Sequence, residues 1–344
     1  MVNVDEVLIK YSKPFDLLAL GRDIVWRREM AEQQRVLSKK LFDQRETLCN
    51  CPICNHDESE VYVEIFLYQY FKCGNCQHIY LSTPVSDEAV TNLYDGKSDN
   101  QSTQAKIYLA PGIFEKRLEA IAYPKVDFVV EALAAINQSV TKFWMDIGCG
   151  AGEVLVAAKN RGWDVLGIES DKAEASFAKS QGVSVISEYI SDRNATQYMQ
   201  DVGVVSLFNV LEHIKKPTAL LKLISENLGN GLVVFEVPRH PSISSLNCQM
   251  FPEMACRHIY PPDHLHIFTE DSVATMLLDC DLELKAVWYF GQDYSDLLHA
   301  AAANQSAKDT GLWQQAVRLQ SKVQEIIDQA GLSDTMVGVA TRRI

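Results

Sequence analysis

The chain has 344 residues, 47% hydrophobic and 22% charged, which is ordinary for a globular protein with one large core or two smaller ones. The formal net charge is −13. An acidic surface repels phosphate backbones, so the composition disfavours a nucleic-acid partner. No apolar run approaches the roughly twenty residues that a bilayer-spanning helix needs. The acidic start does not resemble a signal peptide, so we expect a cytoplasmic protein without membrane contact.

Residues 1–48 are predicted to form an N-terminal helical segment. Between residues 14 and 46, apolar positions recur at helical intervals among charged ones. Acidic and basic residues alternate here without a basic excess, which disfavours a membrane-surface helix. We expect the helix to pack against the following module or against a second subunit, which makes the segment compatible with a homodimer.

Residues 49–82 carry two cysteine pairs, Cys51-Pro-Ile-Cys54 and Cys73-Gly-Asn-Cys76, separated by eighteen residues. Two residues between cysteines allow both thiolates to reach one tetrahedral ion. The spacer is rich in β-prone residues and is long enough for a hairpin, and residues 78–81 could add a third strand. The pattern predicts a zinc ribbon whose closed four-thiolate shell stabilises the module without catalysing.

Residues 83–137 are predicted to be a helical linker or lid. Within this region, residues 95–106 are polar and rich in turn-forming residues, which indicates a loop. A lid over a ligand and a plain linker are both compatible with this composition. A helix at 116–137 is expected to lead into the next domain.

Residues 138–344 are predicted to form a doubly wound α/β domain, because strand-like and helix-like patterns alternate. Insertions are expected at 239–270 and 293–332. Ligands of such a mostly parallel sheet bind at the carboxyl ends of its strands. The seven predicted strands are residues 142–147, 164–168, 183–186, 202–208, 231–237, 283–290 and 335–341.

The first of these strands ends in the run Asp146-Ile-Gly-Cys-Gly-Ala-Gly152 and is followed by a helix-like pattern. Gly148, Gly150 and Gly152 allow the backbone to turn sharply and to approach a nucleotide-like ligand closely. The second strand ends at Glu169, about twenty residues later. A carboxylate at that position can accept hydrogen bonds from both ribose hydroxyls of a bound nucleoside.

These two elements, with Asn209-Val-Leu-Glu-His213 after the fourth strand, resemble the class I S-adenosylmethionine-dependent methyltransferases over roughly residues 120–290. That family typically shows Asp-x-Gly-x-Gly-x-Gly, and Leu-Glu-His is typical of a branch that acts mostly on small molecules. The resemblance implies a Rossmann-like seven-stranded sheet, with residues 335–341 as its last, antiparallel strand, and a bound S-adenosylmethionine. It also implies these cofactor-binding residues: Asp146, Gly148, Gly150, Gly152, Glu169, Asn209, Leu211 and Glu212.

Candidate general bases cluster in residues 256–268, and we expect one of His264 and His266 to face the pocket and the other to face solvent or the core. The segment is similar to one in nucleotide-sugar C-methyltransferases, which also carry an N-terminal zinc module and use a histidine or tyrosine here as base. That resemblance implies His264 as the base, with Tyr260 second. From the residues alone, these histidines are also compatible with buried structural imidazoles or with a metal site, although the four cysteines already account for zinc. The chain departs from the pattern at Pro261-Pro-Asp-His264, where the sugar enzymes have Tyr-His-Glu-His.

Three functions remain open from the sequence. The first is methyl transfer to a small polar acceptor, such as a nucleotide-linked sugar or a surface-glycan precursor. The second is an RNA methyltransferase that binds RNA through the zinc ribbon. This is disfavoured because residues 49–82 contain only one lysine, Lys72, and no arginine. The third is a non-catalytic scaffold, which the intact glycine turn disfavours. By position alone, Arg239, Gln292 and Asp293 are further candidates for acceptor binding.

Overall fold

The computed structural model describes residues 7–13, 24–48, 50–89, 112–191, 193–302 and 311–343. The predicted loop at 95–106 lies outside these residues, as does the beginning of the first predicted helical stretch. Within the described ranges, no helix has both the length and the apolar character to cross a bilayer.

The described residues form two β-sheets, one of eight strands and one of four. In chain order the strands are β1 (Leu8–Tyr11), β2 (Ser59–Ile65), β3 (Tyr68–Cys73), β4 (Ile79–Leu81), β5 (Phe143–Ile147), β6 (Asp164–Ile168), β7 (Ser184–Ile186), β8 (Val204–Phe208), β9 (Leu232–Pro238), β10 (His266–Ile267), β11 (Leu282–Phe290) and β12 (Thr335–Arg342). The large sheet has the order β1-β11-β12-β9-β8-β5-β6-β7. It is mostly parallel, since only β12 runs antiparallel to its two neighbours.

Twelve α-helices are described, together with a π-helical turn at Leu118–Ala122 and short 3₁₀ turns at Phe42–Gln44, Leu211–His213 and Pro252–Met254. The helices are α1 (Ile24–Leu41), α2 (Ile113–Arg117), α3 (Tyr123–Ala135), α4 (Glu153–Asn160), α5 (Lys172–Ser180), α6 (Ala195–Tyr198), α7 (Pro217–Asn227), α8 (Ile243–Met250), α9 (Glu270–Asp279), α10 (Asp293–Ala302), α11 (Gly311–Arg318) and α12 (Gln320–Gln329).

The large sheet is covered by helices on both faces. Every residue of β8 and β9 is buried, as expected for central parallel strands with two covered faces. Successive side chains of β5 point to opposite faces: Trp144 packs with Phe128 of α3, whereas Met145 packs in the cluster that contains Leu221 of α7 and Met276 of α9. The domain is therefore a three-layer α/β structure.

The prediction of seven strands was incomplete, because the described sheet has eight. The additional strand, β1, lies in the segment predicted to be helical and pairs in parallel with β11 at the sheet edge. Four residues are too few to show a strand periodicity, and only tertiary pairing reveals this one. The predicted helical character holds for α1, while the prediction for residues 14–23 lies outside the described part.

The small sheet has the order β10-β4-β3-β2 and joins the cysteine-rich segment to the insertion after β9. Its buried aromatic residues, such as Tyr68 and Tyr70, pack with Leu41 of α1 and with Ile259 and Ile267 of the insertion. The backbone amide of Leu81 also donates to the carbonyl of Leu265, 2.8 Å away. The small sheet thereby fixes the chain segment just before β10, which contains the predicted base His264.

Buried ion pairs tie α1 to the carboxyl-terminal part of the chain. Arg27 of α1 pairs with Asp296 of α10, and Arg257 of the insertion pairs with Asp296 and Asp334. Removing one partner of such a group would leave a buried charge uncompensated. These contacts fix the insertion between α1 and the helices that follow β11.

Candidate active site

The glycine turn after β5 requires glycine for two separate reasons. Gly148, Gly150 and Gly152 have φ angles of +70°, +52° and +87°, in the left-handed region that other residues avoid. A Cβ on Gly148 would also lie 2.7 Å from Cγ2 of Val210, and one on Gly152 would lie 2.9 Å from Cβ of Ala178. The turn therefore packs tightly against two neighbouring segments of the fold.

The carboxylate of Glu169 lies directly beside this turn, at the end of β6. One oxygen accepts a hydrogen bond from the amide of Gly150 at 2.9 Å, and the other accepts one from the amide of Asp171 at 2.7 Å. Burial raises the pKa of Glu169, whereas the amide hydrogen bonds favour its charged form. A carboxylate has about four acceptor positions, so two remain for the ribose hydroxyls of a nucleoside. The residue fits the role that the sequence predicted.

Asp146 lies at the end of β5 and is only 3% exposed. Its Oδ1 accepts a hydrogen bond of 2.5 Å from the hydroxyl of Ser206, which in turn accepts one from Nε1 of Trp144. Burial raises the pKa of Asp146 to about 7, although the hydrogen bond from Ser206 opposes this shift. Ser206 was not predicted as a site residue, but a serine within the apolar run of β8 is a signal that could have identified it.

The segment after β8 places three predicted cofactor residues in different surroundings. Asn209 is exposed and has a left-handed φ of +56°. The side chain of Leu211 is fully buried in the core, so only its backbone could contact a ligand. Glu212 is also fully buried, and its two carboxylate oxygens have no hydrogen-bond partner among the described residues. Burial raises its pKa to about 8.

The predicted base lies in an aromatic cluster next to this segment. The ring of His264 lies 4.1 Å from that of Tyr260 and 4.9 Å from that of His213, measured between centroids. Nδ1 of His264 is 2.8 Å from the carbonyl oxygen of His258, and Nδ1 of His213 is 2.8 Å from that of Asp263. Since a carbonyl only accepts, both Nδ1 atoms carry the proton and both Nε2 atoms are free to accept. His213 was missed as a site residue, although it belongs to the Leu-Glu-His signal.

His266 lies in different surroundings from His264, although residues two apart share a face of a regular strand. The reason is that β10 begins only at His266, and His264 lies in the irregular chain before it. Its Nε2 donates to the carbonyl of Ile214 at 2.8 Å, and its Nδ1 lies 3.1 Å from Nε2 of His78. Both histidines are buried, and burial lowers the pKa of His266 to about 4, so the ring is neutral. His266 therefore connects the small sheet to the segment after β8.

The four predicted metal ligands come together in the structure. The sulfurs of Cys51 and Cys76 are 3.6 Å apart, those of Cys54 and Cys73 are 3.5 Å apart, and all four lie within 4.8 Å of one another. A zinc ion about 2.3 Å from each of four thiolates sets them roughly 3.8 Å apart. The arrangement thus fits a tetrahedral ion.

Two of the residues considered for acceptor binding have structural roles instead. Arg239 is 5% exposed, pairs with Glu270, and donates to the carbonyls of Pro241, Gly331 and Ser333. Asp293 is fully buried and accepts hydrogen bonds from the amides of Ser244 and Asp334. A residue that follows a strand can contact a ligand only if the next segment of the chain does not cover it. The sequence does not show whether such a residue is covered. The interpretation of Arg239 and Asp293 as acceptor-binding residues was therefore wrong.

Comparison with known proteins identifies one family. A family model described as a methyltransferase domain matches residues 116–287, half of the chain. The chain is 30% identical over 96 residues to a ubiquinone biosynthesis O-methyltransferase of Aeromonas salmonicida (strain A449), a match that covers 26% of this chain and 40% of the relative. It is 27% identical over 127 residues to that of Pseudoalteromonas translucida (strain TAC 125), covering 35% and 52%. The chain thus spans about half or less of the curated relatives that it matches.

Among solved structures, similarity extends to a magnesium protoporphyrin IX methyltransferase from Synechocystis PCC 6803 with bound SAH. That match has a TM-score of 0.47 and 11% identity and covers 75% of this chain and all of the other. Another is to a geranyl diphosphate C-methyltransferase from Streptomyces coelicolor A3(2), with a TM-score of 0.41, 15% identity and coverage of 75% and 89%.

Proposed function

Because the chain belongs to the methyltransferase-domain family, we propose that it transfers a methyl group from S-adenosylmethionine to a small polar metabolite. The observation that carries the proposal is the carboxyl edge of the large sheet. There the tight glycine turn and the carboxylate of Glu169 form a nucleoside-binding corner. The histidine and tyrosine cluster next to the segment after β8 supplies groups that could act on an acceptor.

We assign the cofactor to the turn and to the strand ends around it. S-adenosylmethionine, when bound, supplies an electrophilic methyl on a sulfonium. Glu169 would accept the ribose hydroxyls, and Asp146 would hold the ends of β5 and β8 in place through Ser206. The assigned residues are Asp146, Gly148, Gly150, Gly152, Glu169, Asn209, Leu211 through its backbone, and Glu212.

The acceptor must lose a proton as it attacks the methyl group in line. His264 is our first choice as base, because its Nδ1–H is fixed by the carbonyl of His258 and its Nε2 can accept. Tyr260, whose ring lies against that of His264, is the second. Burial lowers the pKa of His264 well below its ordinary value, which keeps the ring neutral.

For the acceptor we favour a nucleotide-linked sugar or a surface-glycan precursor. Support comes from the order of a four-cysteine module before the methyltransferase domain and from the His264 segment. A ribbon that binds RNA is disfavoured, since strand β2 of the small sheet carries Glu60 and Glu64 and no basic residue. We assign the four cysteines a structural zinc ion, supported by the spacing of their sulfurs.

The test is to incubate the full chain with methyl-labelled S-adenosylmethionine and an extract of cells that lack the protein. We expect label in a low-mass fraction that resists nuclease, and mass spectrometry of that fraction would give the acceptor. Label that disappears on nuclease treatment would overturn the metabolite proposal in favour of RNA methylation.

A further inference from the structure

A second group of metal-ligand side chains lies apart from the four cysteines. Glu212, His213 and His264 each offer one ligand atom, and these three atoms lie within 4.8 Å of one another. Glu212 and His213 belong to the 3₁₀ turn after β8, and His264 comes from the insertion after β9. Two separate segments of the chain therefore converge on one point near the carboxyl edge of the sheet.

The carboxylate of Glu212 lacks the partner that a buried carboxylate needs. The residue is fully buried, and both carboxylate oxygens are without a hydrogen-bond donor among the described residues. The buried cation whose charge acts on it, Lys125, is paired with Glu236. Leaving such a buried group unpaired costs about 1–3 kcal/mol or more of folding stability. A ligand bound to the carboxylate would remove this cost.

The two histidines are oriented as metal-binding histidines usually are. In such sites one ring nitrogen donates to a carbonyl or carboxylate, which fixes the tautomer and presents the other nitrogen to the ion. Here the Nδ1 atoms of His213 and His264 each lie 2.8 Å from a backbone carbonyl oxygen, of Asp263 and His258 respectively. Both Nε2 atoms are left to bind.

We propose that Glu212, His213 and His264 bind a divalent first-row transition-metal ion. Two imidazoles and one carboxylate are a donor set suited to such ions, and three protein ligands leave positions open for an oxygen-bearing molecule. An ion about 2.1 Å from each donor sets two donors roughly 3.4 Å apart at a tetrahedral angle, which is compatible with three ligand atoms that lie within 4.8 Å of one another.

The site differs from the four-cysteine site in donor type. Thiolates favour zinc, whereas nitrogen and oxygen donors also accept harder ions such as Mn²⁺. With the ion bound, Glu212 and His264 are metal ligands, so the cofactor is held by the other assigned residues and Tyr260, the second candidate, takes the place of His264 as base. Any use of the ion on a methyl acceptor rests on the proposed function, but binding of the ion does not.

The test uses the full chain, prepared with zinc on the cysteines, titrated with Mn²⁺ and followed by the EPR signal of the free ion. We expect saturation at one Mn²⁺ per chain. Glu212→Gln and His213→Asn should each lower the affinity at least about tenfold. Glu226→Gln, an exposed glutamate on α7, serves as the matched control and should bind Mn²⁺ like the unmodified chain.

Absence of saturable Mn²⁺ binding would overturn the proposal, and so would unchanged affinity in both ligand variants. If Glu212→Gln fails to fold, His213→Asn decides alone, because His213 is exposed and its replacement leaves the core intact. The same samples are titrated with S-adenosylmethionine. Mn²⁺ binding without cofactor binding would contradict the proposed function and leave the metal site standing.

Discussion

Gly148 illustrates how one residue decides the shape of the cofactor turn. It combines a left-handed φ of +70° with a contact that leaves no room for a Cβ beside Val210. We expect Gly148→Ala to lower the free energy of unfolding by roughly 2–4 kcal/mol and to weaken S-adenosylmethionine binding. Urea unfolding and calorimetric titration measure the two effects.

Gly229 provides the control for this substitution. Its φ is +62°, but nothing lies within 4 Å of the position that a Cβ would take. Gly229→Ala should therefore show backbone strain alone, roughly 1 kcal/mol, with unchanged cofactor affinity. Equal destabilisation by the two variants would contradict the tight packing of the turn against Val210.

Asp146 should make stability fall as the pH rises. Burial raises its pKa from 3.8 to about 7, so between these values the folded state holds a proton that the unfolded chain has released. The free energy of unfolding should then decrease from about pH 4 to about pH 7, by up to roughly 4 kcal/mol from this group. Asp146→Asn should flatten this decrease in urea unfolding measured across the window.

The comparison for that experiment is Asp279→Asn. Asp279 is an exposed aspartate at the end of α9, so its replacement should leave the pH dependence of the unmodified chain in place. A slope for Asp146→Asn equal to that of Asp279→Asn would show that Asp146 does not hold its proton in the folded protein.

At the scale of elements, we expect the small sheet to be stabilised by the proposed zinc ion. Cys54→Ser removes one of four sulfurs that converge within 4.8 Å. We expect zinc content to fall by about one ion per chain, with a lower thermal midpoint. The control is Cys280→Ser. Cys280 is a buried cysteine that directly follows α9 and lies outside the four-cysteine cluster, so this variant should retain the ion. Equal zinc content in both variants would contradict the assignment.

The small sheet also positions the predicted base. The hydroxyl of Tyr70, in β3, donates to the carbonyl of His264 at 2.6 Å. We expect Tyr70→Phe to cost about 1–2 kcal/mol of stability and to slow methyl transfer, because the buried carbonyl loses its donor. Label transfer into extract measures the rate.

Tyr80→Phe is the matched control, since Tyr80 lies in β4 of the same sheet and its hydroxyl donates to Ser59 instead. It should leave the rate of methyl transfer near that of the unmodified chain. If both variants slowed transfer equally, the effect would come from the sheet as a whole and the specific role of Tyr70 would be refuted.

The sequence predicted most elements of the large sheet, because its central strands are apolar runs that end at a carboxylate, a glycine or a proline. Asp146, Glu169 and Pro238 mark three such ends. Strands β1 and β10 were not predicted. They have four and two residues, which is too short to show a strand periodicity, and their pairing depends on distant segments of the chain.

Parts of the candidate site could be predicted where the residue type itself indicates one local structure or one kind of ligand. Glycine at a left-handed turn and four cysteines at metal spacing are such cases. The surroundings of a side chain are different, because they depend on distant segments. The sequence could not show that the guanidinium of Arg239 donates to three backbone carbonyls. Nor could it show that the rings of His213 and His264 are in contact.

At the scale of the whole molecule, three parts of the chain meet around residues 258–269. Helix α1 contributes Gln34, whose amide donates to Asp263 at 2.6 Å, the small sheet contributes Tyr70, and the large sheet contributes the segment after β8. The insertion is thereby fixed between the two sheets. The amino-terminal parts of the chain therefore contact the segment that contains the predicted base.

The central claim is that the carboxyl edge binds S-adenosylmethionine through Glu169, and calorimetric titration of the full chain tests it most directly. We predict one molecule bound per chain, with affinity lowered at least about tenfold in Glu169→Gln and unchanged in Asp164→Asn, at the exposed opposite end of β6. Absence of binding, or equal affinity in the two variants, would contradict the account.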